Sequence, residues 1–404
     1  MEKRTTSAVL RTVTMAVFAV IAFVMPAVRT SAQICAVPGK DGPQTISGVV
    51  NSYYPAPTSA TASGTSIPVG AISNLSSSLT PIESGDLLLI IQVQDAQINS
   101  SNNNNYGAGN GTGRGFTSAN AGYYEYVVAA NSVGTGGGTI TTLQSLSRTY
   151  RSANATSSRG RRTYQVVRIP QYSAATISGT VSAASWDGTS GGIVAFDVAG
   201  TLNMGGGTIN ANGRGFRGGL GISLTGGSGS STDYRGTSTS DTGGSKGEGI
   251  AGTPRYIWDG SLGIDNGTEG YPNGSFLRGA PGNAGGGGTD GSPSVDNGQN
   301  SGGGGGGNGG IGGTGGNSWS SNLTIGGIGG DVLSASANRL VFGGGGGAGT
   351  TNNGADETSS GGLGGGIVIL RVGGISGSGT ITANGANAPN SNPTCCGDGA
   401  GGGG

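Results

Sequence analysis

Asn308-Gly309-Gly310-Ile311-Gly312-Gly313-Thr314-Gly315-Gly316-Asn317 advances in steps of three residues. Ile325-Gly326-Gly327-Ile328-Gly329-Gly330-Asp331 and Ser360-Gly361-Gly362-Leu363-Gly364-Gly365 do the same. Three residues per turn is the period of the polyproline-II helix, which makes no internal hydrogen bonds. With glycine at two positions of three, neighbouring helices can approach until their backbones bond each other. The third residue then forms an edge, and the expectation is Ile and Leu inward, Asn and Thr outward. Collagen does not fit, because it takes one glycine per triplet and abundant proline.

On either side of these triplets a strand unit occurs twice. Gly191-Gly192-Ile193-Val194-Ala195-Phe196-Asp197-Val198 is followed by Gly207-Thr208-Ile209-Asn210-Ala211-Asn212-Gly213. Gly365-Gly366-Ile367-Val368-Ile369-Leu370-Arg371-Val372 is followed by Gly379-Thr380-Ile381-Thr382-Ala383-Asn384-Gly385. Each copy pairs a buried strand with a short alternating one that ends in Asn-Gly. Residues 188–404 therefore read as a glycine-rich, β-solenoid-like repeat domain with polyglycine-II segments. The stop in Gly401–Gly404, without a polar cap, predicts a parent chain that continues.

Residues 34–187 differ in character. Runs such as Asp86–Gln94, Tyr123–Val128 and Tyr164–Ile169 are rich in β-branched and aromatic residues, with Gly, Pro, Asn and Ser between them. They predict a β-sandwich or β-roll, so the expected fold is all-β throughout. Residues 1–33 have the layout of a secretory signal peptide: a basic start, an apolar run over Val13–Val24, then Pro26 and small residues. That run falls short of the ~20 residues that span a bilayer, and no transmembrane span is expected. Ile34 before Cys35 argues against a lipid anchor. The expected location is secreted or cell-surface.

Composition excludes much chemistry. With 91 glycines and no histidine, there is no imidazole base, no Ser-His-Asp triad and no Cys/His zinc site. Lys plus Arg and Asp plus Glu are 20 each, so no net charge draws the chain to nucleic acid. Gly243–Gly247 spells GxSxG and Gly213–Gly218 spells GxGxxG. Neither has the strand-to-helix context that its chemistry requires.

The binding candidates that remain are Trp186-Asp187 and Trp258-Asp259, each followed by glycine, with Lys246 and Arg255 between them. The bland alternative is that Asp-Gly caps turns and Trp covers a scaffold end. Asp259, Asp265, Asn266 and Glu269 offer hard oxygen ligands in one loop, a set that would take calcium; no other cofactor is expected. Arg148, Arg151, Arg159, Arg161, Arg162 and Arg168 make a locally basic stretch. Exposed hairpin tips often look like this, and contact with phosphate or acidic glycan is the sharper reading.

The chain resembles a group of large, uncharacterised bacterial exported glycine-rich surface proteins. The wording is carried by Cys35–Pro43, Gly85–Ala96, Tyr164–Tyr172 and Gly244–Tyr256. That resemblance implies a glycine-rich head that can precede Ig-like repeats. The triplets are also similar to polyglycine-II bundles of phage tail-tip adhesins and springtail antifreeze proteins. The expected function is an adhesin-like or structural surface protein presenting binding loops, with glycans or other surface ligands as partners. A polysaccharide lyase or hydrolase on a β-solenoid is the enzymatic alternative, and ice or crystal-face binding the third reading.

Overall fold

Alternation along two β-rich runs sets the first layer. In the computed structural model, strands Ser52–Pro55, Thr163–Ile169, Leu87–Gln94 and Tyr124–Val128 form one antiparallel sheet, in that order. The structure describes residues 36–72, 78–224, 229, 231–237, 243–295, 298–352, 359–389 and 401–404. The expected signal peptide and all three cysteines lie outside them. Among the described residues no α-helix occurs, and none is long and apolar enough to cross a membrane.

Because side chains alternate across a strand, this sheet feeds two cores. Leu88, Ile90, Val127, Tyr164 and Val166 join a cluster closed by Ile67, Ile82, Val133 and Ile140. Leu87, Leu89, Ile91, Val93, Val167 and Ile169 join the other, with Trp186, Phe216, Ile250, Tyr271, Phe342 and Ile367. The second cluster thus takes side chains from the strand-rich and the glycine-rich regions alike. Trp186, Phe216 and Phe342 form its aromatic centre, with ring centroids 5.4–6.4 Å apart. Ile34–Gly404 is one compact unit.

The duplicated strand unit stacks on itself. Ile193–Asn203 runs parallel to Ile367–Ser376 with Ile193 beside Ile367, Phe196 beside Leu370 and Val198 beside Val372. Thr208–Asn210 lies in the same register beside Thr380–Thr382. Ala174–Ser182 and then Pro43–Val49 extend this parallel sheet on the other side. Apolar residues stack under it: Val181 and Ile209 are fully buried, whereas Ile381 on the last strand is 48% exposed. Asp197 and Arg371, side by side across the pair, form an ion pair.

The glycine-rich remainder holds together through its backbone. Successive N–H groups of 343–350 donate to Gly365, Gly307, Glu248, Gly362, Gly304, Ser245, Ser359 and Ser301, at 2.8–3.0 Å. Every third bond returns to the same neighbour: 359–365, then 301–307, then 245–248. Three other segments donate back, from Phe216 and Gly219, from Gly285 and Gly288, and from Gly402. The six neighbours also bond one another, as in Gly361 to Gly219, Glu248 to Arg217, Gly247 to Gly285, Gly304 to Gly286, Gly306 to Gly403 and Gly362 to Gly402. Segment 343–350 is therefore enclosed on all sides, which is why its first five residues are all glycine. A Cβ at Gly345 would collide with the Arg217 carbonyl oxygen.

Outside this centre the triplets face different ways. Ile325 and Ile328 are buried, at 6% and 7% exposed, but Ile311 is 62% exposed. Segment 309–317 is the outermost one, so its third residue meets solvent instead of a core. The inward expectation fails at Ile311 for that reason.

Candidate functional site

The basic stretch predicted from sequence folds into the edge of the antiparallel sheet. Asp95 is fully buried and takes ion pairs from both Arg151 and Arg159. Glu125 accepts the backbone N–H groups of Ser147 and Arg148. The Arg148 guanidinium lies 4.0 Å from the Tyr123 ring centroid, and Arg339 lies over the same ring at 4.8 Å. Arg339 is pinned there by donating to the carbonyls of Ala121 and Ala119. Burial lowers its guanidinium pKa below the ordinary value; Tyr123 opposes that shift and the Arg148 charge adds to it.

Among the described residues no carboxylate comes within ion-pair distance of Arg148. It lines an opening of about 300 Å³ together with Gln92, Asn120, Tyr123, Thr149 and Arg151. The Arg148 guanidinium, backed by an aromatic ring and beside an Arg151 that is paired with Asp95, suits a planar anion in this shallow pocket. Arg161 and Arg168 do not belong to it. Arg168 is buried, paired with Asp86 and Asp41.

The other candidates fall in three places. Trp186 is buried and donates its indole N–H to Glu248, whose carboxylate also takes both Nε and Nη2 of Arg217. Burial alone would raise the Glu248 pKa, but the Arg217 charge and hydrogen bonds outweigh it and hold the carboxyl below its usual range. Asp187 is exposed and accepts the N–H groups of Thr189 and Ser190. Lys246 is fully buried, its ammonium donating to the carbonyls of Tyr234, Leu277 and Gly279 at 2.6–2.7 Å. Its Nζ lies 4.7 Å from the Tyr106 ring. Burial pushes its pKa well down, with Glu269 opposing and Arg235 assisting.

Trp258 and Asp259 sit at the tip of a hairpin built by Tyr256–Trp258 and Gly263–Asp265. Asp259 accepts the N–H groups of Ser261 and Leu262. Arg255 pairs with Asp265 through two bonds of 2.8 and 2.9 Å. Asn266 donates to the Pro254 carbonyl, and both Glu269 carboxylate oxygens are buried without a hydrogen-bond partner among the described residues. Among the described residues no three acidic, Cys or His side chains gather as metal ligands. Ser245 of the GxSxG match is buried, with Oγ donating to the Tyr256 carbonyl.

Sequence reasoning named Arg148 and Arg151 but missed Tyr123 and Arg339. Arg339 is far from Arg148 along the chain; the bond from the Leu340 N–H to the Gly122 carbonyl, with the guanidinium's own bonds to Ala119 and Ala121, brings it to the ring. No protein-family model, no curated protein and no solved structure matches this chain.

Proposed function

We propose that the chain is an exported cell-surface, adhesin-like protein, and that its ligand is an acidic polysaccharide held at the Tyr123–Arg148–Arg151 pocket. The scaffold in this reading has two parts. One is a short β-solenoid-like stack of parallel rungs. The other is a polyglycine-II bundle centred on 343–350, whose hydrogen bonds turn through three neighbours in every three residues.

The observation that carries the ligand class is Arg148, a guanidinium over an aromatic ring with no carboxylate partner among the described residues, facing a polar opening. A uronate or sulfate group would take the fork of the Arg148 guanidinium, which the Tyr123 ring holds in place. Catalysis has less support, since Lys246 and Glu248 are both spent on internal partners.

The test is binding of the purified chain to acidic and neutral glycans. Acidic glycans should bind, more weakly as salt rises. Arg148→Ala should lose roughly 10–100-fold in affinity, the worth of a hydrogen bond to a charged group. Equal binding of neutral glycans, or an Arg148→Ala protein that binds unchanged, would sink the assignment. The outward column Thr180–Thr208–Thr380 gives ice binding its one support. Thermal hysteresis without glycan retention would move the reading there.

A further inference from the structure

Segment 302–307 shows how the bundle is built and where it stops. It donates from Gly302 and Gly305 to 316 and 313, from Gly304 and Gly307 to 286 and 283, and from Gly306 to 403. It accepts at Ser301, Gly304 and Gly307 from 350, 347 and 344, and at Gly302 and Gly305 from 327 and 330. Neighbours that give and neighbours that receive alternate around it, as they do around 343–350. Five positions are filled. The sixth, between 309–317 and 402–404, is an open groove of about 1060 Å³.

The groove carries the hydrogen-bonding groups that a sixth neighbour would use. Carbonyls of Gly303 and Gly306 come next in the three-residue rotation and have no protein donor among the described residues. The N–H groups of Gly313, Gly316 and Gly403 have no protein acceptor among the described residues. All five residues line the groove, and no side chain lining it is charged. Two acceptors three residues apart, faced by donors at the same interval, match a chain of the same period.

We propose that this groove is a vacant position of the bundle and that it receives the triplet segment 309–317 of a second copy of this chain. The proposal rests on the polyglycine-II reading. Segment 309–317 is the outermost triplet run, with open space beyond Gly309, Gly310, Gly313 and Gly316. Ile311 and Trp319, 62% and 58% exposed, flank the groove and would be covered.

Hydrogen-bond polarity then restricts the symmetry. A twofold contact between two copies of 309–317 would set the Gly313 and Gly316 donors against themselves. Association is therefore heterologous, closing as a ring of three or more copies or growing as a filament.

Sedimentation of the full chain tests this, with Gly313→Val/Gly316→Val as the blocking variant. A Cβ at either position meets nothing within 4 Å, so that variant should fold normally. Wild type should sediment as assemblies of at least three copies, and the double variant as a monomer with unchanged circular dichroism. A synthetic peptide of residues 308–317 should compete with assembly. Monomeric wild type, a closed dimer, or assembly that survives in the double variant would each overturn the proposal. Gly345→Ala, which strikes the enclosed segment, reports separately on the bundle: if it melts like wild type, the polyglycine-II reading has failed instead.

Discussion

Glu248 shows how much a single residue's surroundings decide. Its carboxylate takes Arg217, Trp186 and Thr253 in a fully buried site. Removing one partner of a buried pair leaves the other charge unsatisfied, so Glu248→Ala should cost about 3–5 kcal/mol in denaturant unfolding. The sign of the pH dependence follows from the direction of two shifts. Arg168, the Glu83 N–H and Lys40 together overcome burial at Asp86, as Arg217 does at Glu248, so both carboxyls are held below their unfolded values. Their contribution is complete above the ordinary carboxyl range of about 4 and is lost as pH falls through the folded values. Stability should decline below about pH 4, and Glu248→Gln should flatten that decline; a slope equal to wild type would refute it. Sequence could name Trp186 and Lys246 as unusual residues in a glycine-rich chain. It could not show that one lies in an aromatic centre and the other in a cage of three carbonyls, because residue type does not reveal burial.

At the scale of elements, the three-residue spacing of the triplets was legible, and so was the duplicated strand unit. Which edge faces inward was not, since that depends on how many neighbours a segment has. Ile328 and Ile311 occupy the same place in their triplets, yet only Ile328 has other segments on its outer side. Enclosure also predicts an asymmetry among glycines. Gly345→Ala would force apart two backbones, whereas Gly310→Ala has open space. The first should lower the melting temperature by several degrees, on the scale of ~1–3 kcal/mol for overpacking; the second should leave it unchanged. Comparable melting of both variants would contradict the packing.

Across the whole molecule, all-β character was readable from composition and alternation, while the common core of the two regions was not. Tyr53, Leu89 and Val167 meet Phe216, Tyr271 and Phe342 only through long-range folding, which no local pattern records. The basic pocket is similar: Arg148 and Arg151 stand in one stretch of sequence, but the Tyr123 ring, and the Arg339 guanidinium that packs over that ring, arrive from elsewhere.

The enclosed segment 343–350 has a thermal consequence. Its interior is made of peptide groups, and unfolding it hydrates polar surface that lowers heat capacity where apolar surface would raise it. Calorimetry should give a heat-capacity increment per residue below the usual ~12–15 cal/mol/K. The stability curve would then be shallow, so that cooling erodes the fold less than it erodes a core of leucine and valine. An increment at or above the usual value would exclude this.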